Sequence, residues 1–252
     1  MITDPSFYLA AVPAVALVGM SKGGFGGGVA LLAVPLMSLT VPPLQAAGIM
    51  LPILCAMDVA GLLAYRRLIH WPTVLHFLPA AVVGTGFGWA TAAYVTDAHV
   101  RLMVGLIALA FVGSRLLAGR AARTPRPQSW ARGSLWGLVC GFTSFISHAG
   151  GPPAQIYMLP LRLAPQLFAG TSVFVFSVVN AVKLPPYFLL GQFDAQNLTT
   201  SAVLLPVAFV SVALGIWLVR TVSPTLFYRV AYASVVVVGA KLLWDGIAGL
   251  VS

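Results

Sequence analysis

Gly19-Met20-Ser21-Lys22-Gly23-Gly24-Phe25-Gly26-Gly27-Gly28 and Gly141-Phe142-Thr143-Ser144-Phe145-Ile146-Ser147-His148-Ala149-Gly150-Gly151-Pro152-Pro153 are two polar, glycine-rich breaks in apolar surroundings. Of the 252 residues, 60% are hydrophobic and 8% charged, too little polar surface to solvate a globule of this length. The surrounding solvent is therefore lipid. The apolar stretches are long enough, at about 20 residues per span, to cross as helices, and none alternates as a barrel strand would. Inside a bilayer, backbone that leaves a helix persists only where protein or water satisfies its amides and carbonyls, so paired breaks mark a built site.

Working outward, Pro, Gly and charge punctuation divide the chain into short segments near 6–20 and 26–40 and long ones near 44–65, 72–95 and 98–118. A polar linker, 119–131, follows, and the order recurs: short segments near 132–146 and 153–162, then long ones near 165–190, 195–220 and 225–249. Pro72 and Pro224 suit first turns, and Asp97 and Asp194 suit N-caps. The halves align as Ala47-Gly48 with Ala169-Gly170, Asp58 with Asn180 and Tyr65 with Tyr187. The fold expected is an all-α polytopic membrane protein of two repeats, 1–118 and 132–252, each a short glycine-rich helix hairpin followed by three transmembrane helices.

Charge sets the orientation. Arg115, Arg120, Arg123, Arg126 and Arg132 lie in or beside the linker, which marks it as cytoplasmic and explains the net charge of +9 without nucleic acid. Arg66-Arg67 then falls inside, while its second-half counterpart, Gly191-Gln192-Phe193, falls outside. Corresponding loops carry arginine on opposite schedules, as repeats of inverted topology require. Both termini are expected outside, and Arg101 is expected to pair with Asp97 four residues earlier. The N-terminus lacks the basic region of a cleavable signal peptide, and Cys55 and Cys140, both in apolar segments, read as free thiols.

The breaks carry the chemistry. Glycines 23, 24, 26, 27 and 28 leave amides free at the start of the next helix, and Lys22 adds a positive charge, so an anion is the ligand expected there. The competing reading is close helix packing, since Gly19, Gly23 and Gly27 have small-xxx-small spacing. In the second break Thr143, Ser144, Ser147 and His148 offer donors, Gly150 and Gly151 end the excursion, and Gln155 and Tyr157 follow. Asp58 is the one carboxylate deep in a predicted span; it suits either proton coupling or an ion pair with Lys22 or Lys183, with Asn180 as its uncharged counterpart. Lys183 lies one turn from Asn180 and either joins the site or snorkels outward. Thr171-Ser172 suits helix packing or a path lining. No enzyme constellation, metal-ligand spacing or nucleotide fingerprint emerges, so neither catalysis nor a cofactor is expected.

The passage Gly19 to Pro35, and His148-Ala149-Gly150-Gly151-Pro152-Pro153-Ala154-Gln155-Ile156-Tyr157-Met158-Leu159-Pro160, each followed by three spans, resemble the two motifs of the sulfite exporter TauE/SafE family. The resemblance spans about residues 6 to 249. It implies an inner-membrane carrier, most often an exporter, for sulfite, organosulfonates or related small anions, with the substrate near Lys22 and Ser147-His148. The second break departs from the first in having a histidine and no lysine. An anion-selective channel is the alternative the same positive midplane allows. A membrane anchor for a soluble partner is disfavoured by the short loops.

Overall fold

A computed structural model describes residues 1–24, 33–92, 94, 96–117 and 124–251. Gly26, Gly27 and Gly28 of the first break, and Arg120 and Arg123 of the linker, lie outside the described residues. The described residues form α1 (Pro5–Gly24), α2 (Ala33–Met37), α3 (Pro43–Tyr65), α4 (Trp71–Thr91), α5 (Asp97–Leu117), α6 (Trp130–Ser147), α7 (Gly151–Met158) with a 3-10 turn at Leu159–Leu161, α8 (Pro165–Leu189), α9 (Ala195–Thr221) and α10 (Pro224–Val251). No strand occurs among them. Helices α1, α3, α4, α8, α9 and α10 are long and apolar enough to cross a membrane. Outward-facing Leu9, Leu63, Trp89, Phe188, Trp217 and Trp244 are exposed, as a lipid-facing surface requires.

One expectation about the short segments needs correction. Helix α1 does not stop near residue 20 but continues through Lys22 to Gly24, giving 20 residues or about 30 Å, long enough for a full crossing. Helix α6, Trp130–Ser147, keeps to the expected 132–146 within two residues. Glycine loosens a helix in water, but within a packed bundle the close approach it permits offsets that cost. Each pair is therefore unequal, a long first arm and a short second one; α7 has 8 residues, about 12 Å.

Glycine determines which helices meet. A Cβ at Gly23 would lie 2.5 Å from the Val212 carbonyl oxygen, and one at Gly19 would lie 2.5 Å from Ser211 Cβ, so α1 seats directly on α9. Gly133, Gly137 and Gly141, one per turn of α6, meet His76, Phe77 and Ala81 of α4 in the same way. Helix α10 packs along α5, and α3 along both α8 and α9. Asp194 accepts a bond from Asn197 N at 2.7 Å, the expected N-cap of α9. Arg101 Nη1 lies 3.8 Å from Asp245 Oδ2 on α10. The side chain of its expected partner, Asp97, is outside the described set.

Candidate functional site

The end of α1 carries Lys22 into the centre of the bundle against α3. Its ammonium stands 2.5 Å from Asp58 Oδ1 and donates to the Leu54 carbonyl oxygen at 3.3 Å. The other carboxylate oxygen, Asp58 Oδ2, accepts from Asn180 Nδ2 of α8 at 2.7 Å. Asp58 thus joins a lysine from one half to an amide from the other, all three side chains buried. Desolvating an ion pair costs several kcal/mol per charge, which the attraction offsets only when geometry and supplementary hydrogen bonds are good. Here the short ion pair and the bonds to Asn180 and the Leu54 carbonyl supply that compensation in part.

One turn along α8 from Asn180, Lys183 is 1% exposed. Among the described residues its ammonium has no hydrogen-bond or ion-pair partner. It faces a cavity of about 40 Å³ whose polar wall is Lys22, Ser144, His148, Ser172, Asn180 and Lys183. At about 10–15 Å³ per water, that is room for roughly three waters. The facing wall is apolar: Val34, Met50, Leu54, Val173 and Phe176, with Gly151 at the start of α7. Asp58, behind the wall, pairs with Lys22, so when both lysines are protonated one positive charge is left without a partner among the described residues. In a low-dielectric interior such a charge calls for a counter-ion.

Backbone shape places the second break. His148 adopts the left-handed conformation, φ 52°, which ends α6 and turns the chain into α7. A non-glycine residue is seldom held there without a surrounding structure that requires it. Its Nε2 shares a hydrogen bond with the Tyr187 hydroxyl at 3.1 Å. At the end of α1, the Tyr65 hydroxyl donates to the Gly23 carbonyl oxygen at 2.6 Å. A Cβ at Gly150 would meet Ser144 Cβ at 2.8 Å, so α7 begins hard against the residue that lines the cavity.

Of the residues singled out from the sequence, Lys22, Ser144, His148, Gly151, Asn180 and Lys183 converge on one cavity, with Asp58 bound behind Lys22. Others are turned elsewhere. Gly23 and Gly24 lie within α1 and press on α9, so the close-packing reading describes their surroundings. The Thr143 hydroxyl donates to the Val139 carbonyl oxygen at 2.8 Å. Ser21, Ser147 and Gln155 are buried and do not form the cavity wall. Thr171 accepts from His70 N at 2.9 Å, pinning the loop after α3, whereas its neighbour Ser172 faces the cavity. Phe176 and the tethers Tyr65 and Tyr187 were not anticipated as parts of the site. Tyrosines inside predicted spans were the one available signal for the tethers.

Fold and site together define a multi-pass helical membrane protein with a small cavity, lined by two lysines, at the meeting point of α1, α3, α6 and α8. The chain belongs to the sulfite exporter TauE/SafE family, whose model matches residues 11–242. It is 25% identical over 240 residues to a probable sulfite/organosulfonate exporter TauE of Cupriavidus necator, covering 90% of each chain. No solved structure matches.

Proposed function

We propose that the protein is a secondary transporter, working as an exporter, for a small sulfur-containing anion such as sulfite or an organosulfonate, bound in the cavity between Lys183 and Lys22. One observation carries this reading: the ammonium of a buried lysine, Lys183, opens on the cavity and has no partner among the described residues, whereas the other lysine there, Lys22, is paired with Asp58. A bound oxyanion would supply the missing charge. Lys183 is its first ligand, Ser144, Ser172 and His148 its hydrogen-bonding partners, and the Lys22–Asp58–Asn180 chain holds the opposite wall. The apolar side around Phe176 and Leu54 would receive an organic tail or exclude water from the head group. Asp58 acts as the internal counter-ion of Lys22, and its protonation would release that lysine to the substrate.

The wider reading is alternating access between two inverted repeats, 1–118 and 132–252, joined by a cytoplasmic linker at 119–131, in the inner membrane with both termini outside. Packing supports it. If α1 corresponds to α6 and α4 to α9, a pseudo-twofold turns the α1–α9 contact into the α6–α4 contact and leaves α5–α10 and α3–α8 pairing with themselves, as they do. The same sequence spacing separates Lys22 from Ser144 and Asp58 from Asn180, and all but Asp58 line the cavity. Tyr65 and Tyr187 are likewise matched, each bonded near the end of a long hairpin arm.

The test is counterflow in proteoliposomes loaded with sulfite. Wild-type protein should exchange labelled sulfite saturably, and Lys183→Gln should abolish exchange while retaining its helical spectrum. Full exchange by Lys183→Gln would remove the proposal's foundation.

A further inference from the structure

A second cavity, about 340 Å³, lies away from the first, between α5 and the α6–α7 pair. Its walls grade from polar to apolar along the bundle axis. At the linker end stand Arg126, exposed, and Arg132, half-buried in the first turn of α6. Both are held by backbone: Arg126 N donates to the Pro160 carbonyl oxygen at 2.9 Å, and Arg132 Nη2 donates to that of Pro127 at 2.8 Å. Among the described residues neither guanidinium pairs with a carboxylate. One turn deeper on α6 comes Trp136, and on α5 the lining residues Phe111, Ala110 and Ile107 descend from Ser114 over about 10 Å. Trp130, exposed and tilted against His76 at 4.3 Å, marks the same level as a membrane interface.

Two cations, one of them held by its guanidinium, at one end of a largely apolar slot match an amphiphile with an anionic head. We propose that this cleft binds an anionic phospholipid of the leaflet on the linker side, with its phosphate between Arg126 and Arg132 and an acyl chain along Trp136, Phe111 and Ile107. The lipid would tie α5, the last helix before the linker, to the first two helices after it. This site does not depend on what the central cavity carries.

Native mass spectrometry of delipidated, detergent-solubilised protein tests it, with phosphatidylglycerol and phosphatidylcholine of identical chains as probes. Wild-type protein should retain one phosphatidylglycerol at about thirtyfold lower concentration than phosphatidylcholine, given roughly 1 kcal/mol for each of the two arginines beside an anionic head group. Arg126→Gln/Arg132→Gln should bring the two lipids to parity. Ala110→Trp, which keeps both arginines and fills the slot, should weaken retention of phosphatidylglycerol by a similar factor, and this variant still tests the site if the double variant does not fold. Parity in the wild type, a preference surviving in the double variant, full retention by Ala110→Trp, or displacement of the lipid by an equal concentration of glycerol 3-phosphate would each overturn the proposal.

Discussion

Lys22 and Lys183 are both buried, line one cavity and belong to the same residue type, yet their replacement by methionine should change stability in opposite directions. Lys22 is held by Asp58 at 2.5 Å, so Lys22→Met strands a buried carboxylate that keeps its bond to Asn180 but loses its counter-ion. Breaking one side of a buried ion pair costs about 3–5 kcal/mol. At about 2–4 °C per kcal/mol for a chain of this size, Tm should fall on the order of 10 °C. Lys183 has no such partner among the described residues, so Lys183→Met removes a charge whose burial no hydrogen bond or ion pair there offsets. Its Tm without a permeant anion should equal or exceed that of wild type, because the penalty removed is itself several kcal/mol. The assay is thermal unfolding in detergent, in a buffer whose anion is too large for the cavity, such as gluconate. Adding sulfite to about 100 times its dissociation constant should stabilise the wild type by about 2.7 kcal/mol and leave Lys183→Met unchanged. If Lys183→Met destabilises as much as Lys22→Met in the anion-free buffer, Lys183 has a protein partner and the charge count behind the site is wrong.

Further expectations follow from packing and local bonding. Gly141→Leu would drive a side chain into the Ala81 carbonyl and should abolish folded protein, whereas Gly86→Leu, with open space around it, should express normally; size-exclusion profiles separate the two. Tyr65→Phe removes the donor to the buried Gly23 carbonyl and should cost about 1–3 kcal/mol, read by chemical unfolding. Asp194→Ala removes the N-cap of α9 and should cost about 1 kcal/mol in the same assay. His70, in the loop between α3 and α4, is held by desolvation below its ordinary value of 6.5, so the folded state favours the neutral ring; its contribution is present above that value and lost as pH falls below it. His70→Gln should flatten that part of the Tm–pH curve.

The long helices were legible because charge, proline and apolar length agree at their ends. The expected span 165–190 became Pro165–Leu189, and 195–220 became Ala195–Thr221. The hairpins were less so. Glycine at 19, 23 and 24 reads as a break by propensity, yet it stays helical because α9 approaches where a side chain would stand. Lys22, Asp58 and His148 were visible as polar groups where lipid forbids them. The pairing of Asp58 with both Lys22 and Asn180 was not, since sequence left the ion pair and the coupling role equally open. Nor was it legible whether Lys183 joins the site or snorkels outward, because the spacing of polar residues along α8 does not say which of them a neighbouring helix covers and which meets a cavity. Ser172, read from the sequence as packing or path lining, faces the cavity, and Phe176 beside it was not anticipated.

The most direct measurement is isothermal titration of purified protein with sulfite, wild type against Lys183→Met. The account predicts one saturable anion per chain in the wild type and no detectable binding in the variant, with both proteins folded. Undiminished binding by Lys183→Met would contradict it.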